Sequence, residues 1–341
     1  MKKIILSIVA LILISGLWLA WVLFTPAPRF QSAGKFLYIP SSISGKAEFM
    51  RILERDSVVK QPWLFEFVAG KMDYWTSIKP GKYEIKSTEN ILSIVRKLRS
   101  GNQTPVNLVI TKIRLKEDLA RMVGKRFETD SAQFMAFLNT PDSLSRYNLD
   151  TQTVITAVLP NTYTYYWTAK PADIFEKLYR EYQRFWNEDR NAKAAALGLS
   201  PSEVYTLASI VQEETNLTSE MGNVASVYLN RIKKGMPLQA DPTVKFALKD
   251  FNLRRIYHKH LAVESPYNTY RNKGLPPGPI CTPAVSTIEA VLSAPNTTYL
   301  YFAANSKLNG SHVFASSYNE HLTNARLYHK ALDSLQKAVG R

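Results

Sequence analysis

An uncharged, mostly apolar run over 4–24 follows two lysines and is the longest apolar stretch of the chain. A helix over these positions would be about 31 Å long, close to the roughly 30 Å hydrocarbon core of a bilayer. Trp18 and Trp21 lie near its far end, where interfacial aromatic residues are common. We therefore predict an uncleaved transmembrane helix over 4–24, with residues 1–3 in the cytoplasm and the remaining chain outside the inner (plasma) membrane.

A Pro-containing linker over 25–35 follows the apolar run. In the segments after it, apolar residues recur first every two positions, as in a strand, then about every 3.6 positions, as in a helix, and then every two positions again. The order is strand, helix, helix, strand: strand 36–39, helices 48–55 and 63–68, and strand 82–85. A further amphipathic helix ends at Gly101, as a C-terminal cap would. These patterns predict a small βααβ module over 36–100.

The remaining chain mixes helices, short strands and Pro-rich loops, so the pattern predicts an α+β fold. A connecting segment of helices and one strand is predicted over 101–153, and a mixed α+β domain over 154–341. Two irregular loops are predicted at 236–243 and 265–270, the first because it is too rich in proline for a helix. Rigid loops that carry polar side chains are common places for substrate contacts.

The strongest helix signal lies at 200–217. Ser200 can cap the helix, Pro201 suits its first position, and Glu203 can complete a capping box. An apolar face then recurs at helical spacing, and it is formed by Val204, Leu207, Ala208 and Val211. This spacing predicts a helix that packs one face into a core.

Two adjacent glutamates end this helix on different sides. Glu214 continues the apolar face, whereas Glu213 follows more polar positions. Burial disfavours a charged carboxylate, so Glu214 is expected to have a raised pKa, which suits a general acid near neutral pH. The alternative is a solvated glutamate at a helix end, and periodicity alone does not decide between the two.

Charge and cysteine content narrow the function classes. The chain has 43 Lys and Arg against 28 Asp and Glu, a net charge of +15, which suggests anionic surroundings or an ordinary solvated surface. No zinc-ligand spacing, RNA-binding motif or Gly-rich phosphate loop is present, so nucleic acid is not a predicted partner. The single Cys281 excludes an intrachain disulfide and a cysteine-based metal cluster. We predict no metal and no cofactor.

A series of motifs resembles the MltG (YceG-like) endolytic murein transglycosylase family over essentially the whole chain. In chain order they are S-I-V-Q-E-E-T, V-A-S-V-Y-L-N-R, G-M-P-L-Q-A-D-P-T-V, Y-N-T-Y, G-L-P-P-G-P-I and Y-L-Y-F-A-A. The resemblance implies a LysM-like module at 36–100 and a YceG-like catalytic domain at 154–341. It also implies cleavage of nascent peptidoglycan glycan strands between MurNAc and GlcNAc, with 1,6-anhydro-MurNAc ends. Such cleavage would terminate glycan elongation and would make penicillin-binding synthases the expected partners.

The resemblance also implies site residues. The family's essential acid is the second carboxylate of an E-x-E-T motif, which is Glu214 here; the first is replaced by Gln212. The substrate-binding positions implied are Gln239, Asp241, Thr243, Tyr267, Asn268 and Thr269. His312 and the pair Glu320 and His321 also match family positions, without assigned roles. The family's P-D-T-Y reads Pro160-Asn161-Thr162-Tyr163 here, so this chain lacks the motif's carboxylate at that position.

Three functions follow from these residues. A transglycosylase needs one residue, Glu214, to act as acid and then as base while the sugar's own C6 hydroxyl closes the ring. A lysozyme-like muramidase would instead need a second carboxylate, for which Asp241 is the candidate. A non-catalytic wall-binding scaffold would need neither. A cofactor-dependent lyase of small molecules is disfavoured by the predicted location.

Overall fold

The computed structural model describes residues 2–338, in which fifteen α-helices and six short β-strands are found. The helices are α1 (Lys2–Phe24), α2 (Lys46–Arg55), α3 (Pro62–Lys71), α4 (Ile91–Ser100), α5 (Lys116–Gly124), α6 (Ser131–Asn139), α7 (Pro141–Ser145), α8 (Pro171–Phe185), α9 (Glu188–Ala196), α10 (Pro201–Glu214), α11 (Thr218–Lys233), α12 (Asp241–Leu248), α13 (His258–Leu261), α14 (Val285–Leu292) and α15 (Tyr318–Ala338). The strands are β1 (Gly34–Ile39), β2 (Gly81–Lys86), β3 (Val106–Ile110), β4 (Asn161–Tyr165), β5 (Tyr301–Ala304) and β6 (His312–Ala315). The α+β prediction is confirmed. The predicted cytoplasmic segment and the predicted C-terminal domain reach to residues 1 and 339–341, which lie outside the described residues.

The chain divides into two compact units. The first comprises residues 2–108, 124–130 and 164–170, and the second comprises 109–123, 131–163 and 171–338. The strands form three two-stranded sheets, in which β1 pairs with β2, β3 with β4, and β5 with β6.

In the first unit, β1 and β2 are antiparallel, with Gly34 opposite Lys86 and Ile39 opposite Gly81. Alternate side chains of both strands are buried, and they share a core with α2, α3 and α4. Asn90 caps α4 by accepting a hydrogen bond from the backbone of Ser93, and Gly101 ends it in the left-handed region at φ 75°. The predicted strand-helix-helix-strand order is confirmed.

No single helix among residues 2–338 is long and apolar enough to cross a membrane, although α9 and α10, bent by 76°, reach that length and composition as a pair. The apolar part of α1 extends from Ile4 to Leu17, which is shorter than a membrane-spanning helix.

The second unit is built around α10, which packs against α9, α11, α12 and α14. All the residues of its predicted apolar face are buried. The predicted capping box is confirmed, because Ser200 Oγ accepts from the backbone of Glu203 at 3.3 Å and the Glu203 carboxylate accepts from the backbone of Ser200 at 2.8 Å. The helix that carries both glutamates is therefore fixed at its start and along its length.

One detail of the second unit differs from the sequence predictions. The predicted loop over 236–243 is wrong in its last part, because α12 begins at Asp241 with Pro242 in its first turn. Proline is tolerated there, since the first backbone N–H groups of a helix have no intrahelical partner. β5 and β6 form an antiparallel hairpin around Gly310, in which Tyr301 lies opposite Ala315.

Candidate active site

A cavity of about 320 Å³ opens at the C-terminal end of α10, within the second unit. It is lined by Glu214, Tyr228, Arg231, Leu238, Gln239, Asp241, Tyr270, Phe302 and His321. These residues come from α10, α11, the loop after α11, the start of α12, the loop at 265–272, β5 and α15. The cavity therefore gathers side chains that are far apart in sequence around one carboxyl group.

Glu214 is the last residue of α10 and is half-buried at the cavity wall. Burial raises the pKa of Glu214 from 4.5 to about 7, and the negative charge of Asp241 contributes in the same direction. The hydroxyl of Tyr228 donates to Oε1 of Glu214 at 2.8 Å and opposes the shift, because it stabilises the charged form. The predicted direction of the pKa shift is confirmed. Near neutral pH the protonated and the charged forms of this carboxyl group are therefore both populated.

Glu213 has the opposite environment. Its carboxylate lies 3.1 Å from Lys112 Nζ and 2.9 Å from the guanidinium nitrogen Nη2 of Arg114. Burial alone would raise the pKa of Glu213, but the hydrogen bonds and charges of Arg114 and Lys112 outweigh it, so the pKa is lowered. Glu213 is therefore an ion-paired carboxylate, and only Glu214 of the pair lines the cavity.

Asp241 is the second carboxylate at the cavity. It is the first residue of α12 and is exposed to solvent, and its Oδ1 accepts a hydrogen bond of 2.6 Å from the hydroxyl of Tyr270. Burial, followed by this hydrogen bond, raises the pKa of Tyr270, so the phenol remains a donor. The orientation of Asp241 is therefore set by Tyr270.

Arg231 fixes the loop that follows α11. Its guanidinium is buried and donates to the carbonyl of Leu238 at 2.7 Å and to that of Leu300 at 2.7 Å. It also lies 3.4 Å from Oε1 of Gln239, a residue held in the left-handed region at φ 54°. The cost of that backbone conformation is met by the surrounding contacts, and the side chain of Gln239 is presented at the cavity.

Four predicted substrate-binding residues hold loops together and are absent from the cavity lining given above. The hydroxyls of Thr243 and Thr269 lie 2.8 Å apart, and that of Thr269 accepts from the backbone of Ala240 at 3.0 Å. The amide of Asn268 donates to two backbone carbonyls, those of Leu261 and Val263.

Tyr267, the fourth of them, has its ring 4.6 Å from that of Phe246. Of the six predicted residues, the structure brings Gln239 and Asp241 to the cavity beside Glu214.

The cavity residues that sequence reasoning missed are Tyr228, Arg231, Leu238, Tyr270 and Phe302. All five lie within the motifs that carry the family resemblance, but a motif does not say which side chains point inwards. His312 lies elsewhere, with Nδ1 2.9 Å from the carboxylate of Glu220. Glu320 accepts from the backbone of Ser316 at 3.0 Å, near the start of α15.

Gln212, which replaces the first glutamate of the motif, has a local structural role. Its Oε1 accepts hydrogen bonds from the backbone of Ala284 at 3.0 Å and from the hydroxyl of Thr287 at 2.7 Å. The side chain therefore joins α10 to the start of α14. Within residues 2–338, no group of three or more His, Cys, Asp and Glu side chains is placed to hold a metal ion.

Comparison with known proteins places these features in a family context. The model of the YceG-like family matches residues 37–327. The endolytic murein transglycosylase of Bacillus subtilis (strain 168) is 30% identical over 314 residues, which cover 88% of this chain and 86% of that protein. The endolytic murein transglycosylase of Streptococcus pneumoniae serotype 2 is 26% identical, covering 82% of this chain and 55% of that protein. A crystal structure of a YceG-like protein from Listeria monocytogenes aligns with a TM-score of 0.56 at 27% identity, covering 86% of this chain and 99% of that one.

The two glutamates give opposite predictions for stability against pH. Glu214 binds its proton more tightly when folded, so its contribution to stability is present below about pH 4.5 and is lost as pH rises to about 7. Glu214→Gln removes this loss. We expect the variant to exceed the wild type in free energy of unfolding by on the order of 2 kcal/mol at pH 8 and to lose that advantage by pH 4.

Glu213→Gln is the matched control. Because the folded pKa of Glu213 is lowered, its carboxylate stabilises the fold above its ordinary pKa, and this stabilisation is lost as pH falls below about 4.5. The Gln variant should be less stable than the wild type at pH 8 and approach it in acid. Urea denaturation at several pH values measures both differences; changes of the same sign would contradict the assignment of the two environments.

Proposed function

The chain belongs to the YceG-like family, whose model spans most of its length, and from this premise we propose that it is a peptidoglycan lytic transglycosylase. It cleaves nascent glycan strands between MurNAc and GlcNAc and leaves 1,6-anhydro-MurNAc ends. The single observation that carries the proposal is Glu214, a cavity carboxyl group whose pKa is raised to about 7. Two relatives named endolytic murein transglycosylase support the substrate class.

In the first step, protonated Glu214 donates its proton to the glycosidic oxygen, and the bond from that oxygen to C1 of MurNAc breaks. A pKa of about 7 keeps a large fraction of Glu214 protonated near neutral pH while leaving it acidic enough to give the proton up. The leaving GlcNAc hydroxyl takes the proton, and positive charge develops at C1. The resulting Glu214 carboxylate keeps its hydrogen bond from Tyr228.

In the second step, the C6 hydroxyl of the same MurNAc attacks C1 and forms the anhydro ring. Its proton passes to the carboxylate of Glu214, which returns the residue to its starting state. No water is consumed, so one carboxyl group suffices. Asp241 has an electrostatic role in this scheme, because its charge helps to raise the pKa of Glu214.

The products of digestion test the proposal. The protein should release anhydro-MurNAc ends from purified glycan strands, and Glu214→Gln should reduce cleavage by at least about a hundredfold, as loss of a general acid does. Mass spectrometry of the strand ends measures the outcome. The control is Glu188→Gln, which replaces an exposed carboxylate on α9 and should leave cleavage unchanged.

Each alternative has its own result in this experiment. Reducing MurNAc ends without anhydro ends would establish a lysozyme-like muramidase, with Asp241 as its second carboxylate. Binding of strands with no cleavage by the wild type would establish a wall-binding scaffold. Either result would overturn the transglycosylase proposal.

The pH dependence of cleavage should shift in opposite directions in two variants. Activity should fall as pH rises through about 7, because the unprotonated acid cannot donate. Asp241→Asn removes a charge that raises the pKa of Glu214, so the fall should move to lower pH. Tyr228→Phe removes a hydrogen bond that lowers this pKa, so the fall should move to higher pH. We expect each shift to be about 0.5–1 pH unit.

Initial rates of strand cleavage between pH 5 and 9 measure these shifts. Tyr257→Phe, a change at an exposed tyrosine, is the control and should leave the profile in place. A common shift of both variants in one direction would mean that another group controls the alkaline side of the profile.

We further propose that α1 anchors the protein in the inner membrane, with the catalytic part on the extracytoplasmic (periplasmic) side. The support is the uncharged run over 4–24 and the exposure of its apolar side chains, such as Leu6, Leu11 and Leu17 at 72%, 69% and 72%. A surface of this kind is unfavourable in water and favourable in lipid.

Alkaline extraction of membranes tests the anchor. The full chain should stay with the membrane pellet, whereas Ile12→Arg combined with Leu13→Arg should release most of it, because each arginine costs about 2.5–3.5 kcal/mol at the centre of a span. Protease added to spheroplasts should degrade the catalytic part of the wild type. Extraction of the wild type into the supernatant, or protection from the protease, would contradict the proposal.

The proposed domain organisation follows from the family resemblance and from the βααβ order of the first unit. It comprises a span over 4–24, a linker over 25–35, a LysM-like module over 36–100, a connecting segment over 101–153 and a catalytic domain over 154–341. An experimental structure whose βααβ segment fails to superpose on LysM modules would reject the module. Penicillin-binding synthases are the proposed partners, and failure to cross-link to them in growing cells would reject that pairing.

A further inference from the structure

His321 is a cavity residue without a part in the steps above. It lies in the first turn of α15 and lines the same cavity as Glu214. We propose that His321 is a substrate-contacting residue, whose imidazole donates a hydrogen bond from Nε2 to a hydroxyl or acetamido oxygen of the amino sugar in the cavity. This inference rests on the proposed function, because it takes the glycan strand as the ligand.

The ring of His321 is held in place by aromatic neighbours. It stacks on Tyr301 with the ring centroids 5.4 Å apart and the planes at 25°, and it lies 6.2 Å from the ring of Tyr318. The guanidinium of Arg231 is placed 5.3 Å from the Tyr301 ring. A ring that is stacked in this way has little freedom to rotate, so its edge is already oriented before a ligand arrives.

The two ring nitrogens of His321 are in different situations. Nδ1 is buried, and it has no hydrogen-bond partner among the described residues. A proton on Nδ1 would therefore be a buried N–H without an acceptor, which is unfavourable. The proton accordingly belongs on Nε2, which is left as the donor that the ring can offer to a ligand.

The same surroundings keep the ring uncharged. Burial lowers the pKa of His321, and the positive charge of Arg231 acts in the same direction. A second ring proton would also have to sit on the enclosed Nδ1. His321 therefore remains a neutral donor, whereas Glu214 in the same cavity exchanges its proton during each turnover.

Replacement of His321 by two amides tests the assignment, because the amide nitrogen of glutamine reaches about as far as Nε2 and that of asparagine about as far as Nδ1. The parent is the full chain in detergent with Glu214→Gln, which by the proposed mechanism retains strand binding and loses cleavage. The probe is uncrosslinked glycan of alternating GlcNAc and MurNAc. We expect His321→Ala and His321→Asn to weaken binding about three- to tenfold, as loss of one hydrogen bond does, and His321→Gln to stay within about twofold.

The outcomes separate this inference from the proposed function. If the parent binds no glycan, both are overturned. If it binds and His321→Ala binds equally well, or if asparagine restores binding and glutamine does not, the inference alone is overturned. A merely structural role would make the two amide variants bind alike.

The tautomer gives a readout that does not depend on glycan. Imidazole ¹⁵N resonances of the full chain, assigned to His321 by their loss in His321→Gln, should show the proton on Nε2 and a neutral ring at pH 7. A proton on Nδ1, or a charged ring at that pH, would overturn the assignment.

Discussion

The partial burial of one carboxyl group at the end of α10 is the constraint on which the site depends. A carboxylate removed from water is unfavourable unless it is paired or protonated, and the carboxyl group of Glu214 accepts its hydrogen bond from a tyrosine hydroxyl rather than from a cation. The pKa is therefore raised to about 7. Its neighbour Glu213 shows what a cationic pair does instead, because Lys112 and Arg114 keep that carboxylate charged. The surroundings of these two adjacent glutamates therefore give them different chemistry.

The walls around Glu214 are held by hydrogen bonds that do not reach into the cavity. Arg231 binds backbone carbonyls on either side, and the hydroxyls of Thr243 and Thr269 join the start of α12 to the loop at 265–272. Much of the motif sequence is used to fix loops, and few of its polar residues are free for a ligand. This explains why a family motif contains more polar residues than the cavity displays.

Much of the fold was predictable because local patterns agreed with the packing. The apolar face of α10 and its capping box are properties of a few adjacent positions, and the βααβ order appears as changes of apolar period. The pattern at 236–243 misled, because proline was counted against a helix although the first helical turn accepts it. The family resemblance pointed to Gln239 and Asp241, but it gave the same standing to Thr269 and Asn268, whose side chains are occupied within the loops.

The sequence by itself determined which helix ends in the two adjacent glutamates and which of them continues its apolar face. Helical periodicity settles that, since it depends only on spacing along one element. Only the tertiary structure decided what surrounds Glu214: Tyr228 from α11, Asp241 from α12, and His321 from a helix more than a hundred residues further along the chain. A pKa depends on desolvation and on charges within a few ångströms, and neither is a property of the local sequence.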